Sequence, residues 1–505
     1  MKRNLIIKAL VLMLVLTCIL PVVLACKKQE QTGDDTGTDV VSTDESIETE
    51  ARYDENGYLM DDLPELDFGG KEIRVLSWGD YKGSEYDNAD KTGDAADNLS
   101  LAIYMRDTKF QRRLNVKMAY RYANGKSDEF LVAADAAEVE GGLDLYAMYS
   151  PTAISMTLRG YTQDLLKQNY LNFDKPWWNS SLTDNLLIYD RLYFATGDIS
   201  PNLFIQSAIM YFNKDMAKIY VDGGVDTIYN AVRNGEWTID KMMEFSKNVG
   251  SSADDKKDAS DTFGFAAVSG CASPLYYGGG YKIIDTAPDG SLVMSDDIKS
   301  GRGITYAEKL LDFFKTGDAG VPSLGEEEYS TDAWNAGRAL FTQSIAIHAS
   351  NYAQKGLNFG ILPMPKSSAT DQDSYVSFVG NPYTMWAISR NSDDVEIAAA
   401  IMECMASESY RIVAPALYDK HLRLQTAQSA DDFDMWGYIK DAVTVDPAQV
   451  LDDASSGEFT FNIFYRAMRE PTLYMSIYQK YVMESEKKVI TLNSSMKVIE
   501  SVYGQ

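Results

Sequence analysis

The sequence predicts an α/β protein built as two lobes. Strand-like and helix-like segments alternate between residues 72 and 149, as in a largely parallel sheet with helices on its faces. A second series of strands and helices follows residue 207, and 505 residues are too many for one ordinary core. The apolar fraction, 45%, is that of a globular chain able to bury two such cores.

In the first series, residues 72–78 (EIRVLSW) alternate like a strand after the turn DFGGK, and Gly79-Asp80 ends it. A helix is expected over 98–114, where Leu99, Ile103, Met105, Phe110 and Leu114 form an apolar stripe. Residues 115–120 form a second strand, 130–139 a helix and 143–149 a third strand, which Ser150-Pro151 breaks. Residues 161–190 read as loop and short helix around Pro176-Trp177-Trp178, a patch that either covers a cleft or fills a loop core. Residues 191–198 resemble a strand meeting a Gly-Asp turn.

In the second series, residues 207–213 (SAIMYFN) are a strand, and Thr238 caps a helix carrying Met242, Met243 and Phe245. A short strand at 263–268 precedes a glycine-rich bend at 276–281, flanked by Tyr276, Tyr277 and Tyr281. An amphipathic helix is expected over 303–315, a helix ending at Gly337, and strands at 339–349 and 357–363. An apolar strand at 383–389 and helices at 395–407, 409–418 and 465–486 complete the chain.

The first residues form a separate element. Lys2, Arg3 and Lys8 precede an apolar run at 9–23, and Ala25 stands just before Cys26. This is the layout of a secretory signal, and its ending resembles a bacterial lipobox, in which the cysteine receives lipid and becomes the new first residue. The run is also nearly long enough for a transmembrane helix. Either reading puts the rest of the chain outside the cytoplasm. The stretch behind Cys26 is rich in Asp, Glu, Thr, Ser and Gly and reads as a disordered tether with a reach of roughly 30–35 Å.

The formal charge of -27 disfavours nucleic acid and anionic lipid surfaces. Beyond Cys18 and Cys26 only Cys271 and Cys404 remain, either one disulfide or two free core thiols. Two isolated histidines, His348 and His421, argue against zinc chemistry and a Ser-His-Asp triad. No phosphate-loop or dinucleotide motif is present, so no cofactor is expected.

Aromatics and short polar side chains recur at strand ends: Trp78, Asp80, Tyr149, Asp198, Tyr277, Gln343 and Trp386. Open α/β sheets bind ligands beyond the carboxyl ends of their strands. Aromatic faces suit the C–H faces of sugars, and carboxylates and amides suit hydroxyls. The same residues also serve as core packing. Paired acids such as Asp80 and Asp198 could build a glycosidase or lyase, but no motif singles out a nucleophile or proton donor. A third reading is a surface scaffold without a small ligand.

Several stretches, in order, resemble the extracellular solute-binding lipoproteins of ATP-binding-cassette importers, in the carbohydrate branch that includes maltodextrin-binding proteins. They are Trp78-Gly79-Asp80, Tyr211-Phe212-Asn213-Lys214-Asp215, Gly235-Glu236-Trp237-Thr238, Gly278-Gly279, Trp334-Asn335-Ala336-Gly337-Arg338-Ala339 and Phe359-Gly360-Ile361-Leu362-Pro363, with the helix over 393–406. The resemblance implies a type II periplasmic-binding-protein-like fold with solute closed between two hinged lobes. It implies no enzyme activity, a monomeric working state, an importer permease as partner, and a lipid on Cys26 as membrane anchor. It matches Asp80, Tyr149, Thr342 or Gln343, and Phe464 or Tyr465 to ligand-contact positions. It also implies the lobe boundaries, first lobe 66–200 and 377–424 and second lobe 201–376 and 425–505, the last part as C-terminal helices, with the hinge near 198–205; ahead of them the residues themselves read as signal peptide 1–25 and tether 26–65.

Overall fold

The computed structural model describes residues 52–79, 85, 98–125, 127–140, 142–254, 256–299, 301–323, 326–423, 426–451, 463–464, 467, 470 and 473–503. Cys26, the signal and the first part of the tether lie outside these residues, as do Asp80 and Tyr465.

The first lobe is a four-stranded sheet. Its strands are β1 (Lys71–Trp78), β2 (Val116–Ala123), β3 (Leu145–Tyr149) and, from far along the chain, β10 (Thr384–Ile388), in the order β10-β3-β1-β2. β1 runs parallel to β2 and β3, whereas β10 is antiparallel to β3. Helices α1 (Asn98–Leu114) and α2 (Asp128–Glu140) make the crossovers. Arg112 and Arg113 sit in the last turn of α1, where cations complement the helix dipole. Asn115 then takes a left-handed conformation, φ 49°, which asparagine tolerates, and turns the chain into β2.

The crossing helix α3 (Pro201–Ile205) leads to the second sheet. This contains β4 (Ala208–Asn213), β5 (Phe263–Ala266), β6 (Ala319–Gly320), β7 (Ala339–Ile345) and β8 (Phe359–Leu362), in the order β8-β4-β7-β5-β6. Helices α4 (Ala272–Gly278) and α5 (Gly301–Phe314) belong to this lobe. Two helix starts follow the sequence closely. The Asn213 side chain accepts from the amides of Asp215 and Met216, and the Thr238 hydroxyl accepts from that of Lys241.

Up to β10 the chain passes between the two sheets once outward and once back. Ala195 bridges Trp386 at the edge of the first sheet, and Ser207 bridges Val379 beside the second. The outward crossing therefore runs through 196–206 and the return through 380–383. After β10, helix α6 (Val395–Glu408) covers the first lobe and continues as π-helix over Ser409–Val413 and Ala416–Arg423 rather than as a separate α-helix. Helix α7 (Ala430–Asp441) then leads to β11 (Val443–Thr444), which pairs in parallel with β9 (Ser377–Phe378). The Asn185 side chain of the first lobe donates to Thr444 Oγ1 and to the Val445 carbonyl, so β11 is bound from both sides.

Three expectations need correction. The last helix, α8, spans Tyr474–Tyr503 and so runs well past the expected end at 486. Pro471 disfavours helix in the residue before it, and no Gly or Pro interrupts the chain from 474 to 503. The bend expected at 276–281 starts later, because Tyr276 and Tyr277 belong to α4, and Gly280 makes the turn at φ 79°. The acidic stretch read as tether to residue 65 is folded in its last part. Asp61 and Leu63 are buried, and Asp61 accepts from both Nη atoms of Arg113, at 2.7 and 2.5 Å. Its acidic composition read as solvation because the arginines that pair it lie far along the chain. Cys271 and Cys404 are free and buried.

Candidate functional site

The candidate site lies where the first sheet ends beside the two crossings. β1 ends in Trp78 and β3 in Tyr149, and the rings stand 5.4 Å apart at 40°. Trp78 is fully buried, while Tyr149 is half-buried and so presents the outer ring. The Trp78 indole N–H donates to Thr384 Oγ1 at 2.8 Å. Thr384 opens β10 directly opposite Tyr149. Trp386, two residues on, is fully buried, pairs with Ala147 and bridges Ala195. Trp78, Tyr149 and Trp386 are thus brought together, with Tyr149 the accessible member.

Glu85 is fully buried against the same strand end. Its carboxylate accepts from the hydroxyls of Ser200 and Thr384 and from the Asn202 amide at 3.2 Å. Burial pushes the carboxyl up to about 7, against the pull of the two hydroxyls. Arg106 of α1, also fully buried, donates to the backbone carbonyls of Glu85 and Ile199 and to Ser409 Oγ.

Asp198 opens onto a cavity of about 480 Å³ beside the outward crossing. Phe204, Tyr410 and Tyr418 form its aromatic wall, with the Phe204 and Tyr418 rings 3.9 Å apart. The Lys440 ammonium sits 4.7 Å from the Tyr418 ring. Burial pushes the Asp198 carboxyl up to about 7, and the Lys440 charge opposes this only in part. Gly197 makes the approach possible. At φ 157°, a Cβ there would stand 2.3 Å from the Trp177 carbonyl oxygen, which accepts from the Asp198 amide at 2.9 Å.

A second cavity, about 200 Å³, adjoins the first across β11, and both are lined by Asp441 and Val443. Tyr277 lies in it, stacked on Phe378 at 4.1 Å and 4°. Asp198 and Tyr277 therefore flank one strand. Gln343 stands apart on β7, nearly buried opposite Met210, its side-chain amide donating to the Ser344 carbonyl. Phe464 is also apart, fully buried and 4.3 Å from the Tyr276 ring. Trp177 and Trp178 fill the loop core. Both are fully buried, and the Trp178 indole donates to Glu403.

Glu85, Ser200, Thr384, Tyr410, Tyr418 and Lys440 escaped the sequence reading. Glu85 lies in a Gly/Asp-rich stretch that reads as solvated loop. The eight-residue spacing of Tyr410 and Tyr418 was a readable signal, since it puts both on one helical face. No group of side chains able to hold a metal ion occurs among the described residues.

Two sheets joined by paired crossings, with helices on their faces, define a two-lobed α/β fold of the periplasmic-binding-protein kind. Solved structures share it across most of their length. A family 1 extracellular solute-binding protein from Bifidobacterium longum subsp. infantis matches with a TM-score of 0.50 and 15% identity, over 85% of this chain and 100% of that one. A cyclo/maltodextrin-binding protein complexed with maltotetraose matches with a TM-score of 0.52 and 12% identity, over 86% and 97%. The cyclic alpha-maltosyl-1,6-maltose binding protein from Arthrobacter globiformis matches with a TM-score of 0.53 and 13% identity, over 84% and 99%. No protein-family model and no curated protein sequence matches the chain.

Proposed function

We propose that this protein is an extracellular solute-binding protein, without enzymatic activity, that captures a carbohydrate between its lobes and delivers it to an ATP-binding-cassette importer. The observation that carries the reading is the half-buried Tyr149 ring, backed by Trp78 at a sheet end beside both lobe crossings. An aromatic face there suits a sugar ring, and the Asp198 carboxyl beside the outward crossing suits hydroxyl donors. The structural neighbours named for maltodextrin and cyclic maltosyl ligands support the same class. Solute would favour the closed arrangement of the lobes and shift the population toward it. The leader, with lipid on Cys26, would hold the protein beside its permease, a second acyl chain giving stable anchorage.

The test is a thermal-shift screen of linear and cyclic maltodextrins and monosaccharides. A sugar that raises the melting temperature in proportion to the logarithm of its concentration supports the reading. A flat response across the panel removes the carbohydrate assignment. Mass spectrometry of the mature N-terminus decides the anchor, since an unmodified Cys26 rules it out.

A further inference from the structure

The two crossings are separate stretches of chain, yet one side chain from a third stretch touches both. On the outward crossing, Glu85 accepts from the Ser200 hydroxyl and the Asn202 amide. At the end of the return crossing, it accepts from the Thr384 hydroxyl. Ser200 Oγ in turn accepts from the Thr384 amide at 3.1 Å, so the crossings are also tied to each other. Thr384 Oγ1 accepts from Trp78, so the network reaches the ring that backs Tyr149. The carboxyl acts as acceptor in all three contacts: one oxygen takes two donors, the other takes one, and each hydroxyl still has a lone pair for a second donor. Arg106 fixes the network to α1 through the carbonyls of Glu85 and Ile199.

The side chains of α3 pack against their surroundings, Phe204 on Tyr418 among them, but its one polar side chain makes no hydrogen bond. The Asn202 amide group is buried, and neither its oxygen nor its nitrogen has a hydrogen-bond partner. Nothing on that side chain holds the crossing to the first lobe, and Glu85 does so through the backbone.

We infer that Glu85 is a positioning residue for lobe movement, a clamp that fixes both crossings against the first sheet and links them to the Trp78–Tyr149 pair. Bending is then confined to the residues beyond the clamp, 203–207 and 379–383. The inference rests on the two-lobed fold and not on the identity of the solute, so its test needs no ligand.

The experiment is hydrogen–deuterium exchange of the full-length protein with Glu85→Gln, Thr384→Val, Thr384→Ser and Ser200→Ala. Thr384→Val keeps the shape and removes the hydroxyl, whereas Thr384→Ser restores it. The expected result is faster exchange in peptides covering both 196–206 and 380–386 for Glu85→Gln and Thr384→Val. Peptides from β4 and β7 should keep wild-type protection, and Thr384→Ser should return both crossings toward it. A merely structural role would speed exchange throughout the first lobe. Loss confined to the substituted peptide, uniform loss, or Thr384→Val behaving like Thr384→Ser would overturn the clamp. If Glu85→Gln fails to fold, the Thr384 pair still decides. A failed sugar screen would remove the proposed ligand and leave this result standing.

Discussion

At the scale of single residues, close approach sets what the site tolerates. Gly197 leaves no room for a side chain, because its Cβ would meet the Trp177 carbonyl oxygen at 2.3 Å. Gly197→Ala should cost roughly 1–3 kcal/mol in chemical denaturation, the range for overpacking a tight site. Tyr149 is the aromatic whose ring is both supported and accessible. Tyr149→Ala should weaken binding of whichever maltodextrin stabilises the protein by about tenfold, with little change in melting temperature, as read by calorimetry. Unchanged affinity would place the solute elsewhere. Composition and position at strand ends made Trp78, Tyr149 and Trp386 legible as a group. They could not say which ring faces outward, because that depends on β10 arriving opposite β3 from the far end of the chain.

At the scale of elements, long-range charge pairs fasten segments whose local sequence says little. The stretch around Asp61 is held to α1 and to the π-helical continuation of α6. Asp61 lies between Arg113 and Arg411, with Glu408 bonded to Arg411 at 2.6 Å. Burial pushes the Asp61 carboxyl up, but the two arginines outweigh it and hold it below the usual carboxylate range. Removing one partner of a buried pair leaves the others uncompensated. Asp61→Ala should therefore cost about 3–5 kcal/mol by denaturant titration, whereas loss of an exposed pair such as Lys218–Asp215 should cost under about 1 kcal/mol. Helix caps were legible because they are local, and Thr238 capped its helix as read. The burial of Asp61 was not, because its charge partner Arg113 lies 52 positions away.

At the scale of the whole molecule, buried acids set the response to pH. Burial raises the carboxyls of Glu85, Asp198 and Asp446 to about 7 and that of Glu403 to about 8. In the unfolded chain the same groups ionise near 4, so between about pH 4 and pH 8 the folded state holds more protons. Stability contributed by these groups is present at low pH and lost as pH rises through 7 to 8. The depressed carboxyls of Asp61 and Asp144 act in the opposite sense, and their contribution is lost as pH falls below about 4. The melting temperature should therefore be higher at pH 5 than at pH 8. Glu403→Gln should narrow that difference, since an amide oxygen still accepts from Trp178 without a charge to bury. A melting temperature equal at both pH values would contradict the burial argument.

The sequence by itself determined the alternation of strands and helices, the caps, and the two-lobed α/β class. These follow from hydrophobic period and short-range hydrogen bonding, which neighbouring residues set. Tertiary structure alone decided which aromatic is exposed, which acids are buried, and that Glu85 meets both crossings. Trp78 and Thr384 are 306 positions apart and share one hydrogen bond. A contact of that span depends on the chain returning from the second lobe to add β10 to the first sheet, and no local pattern in the chain encodes it.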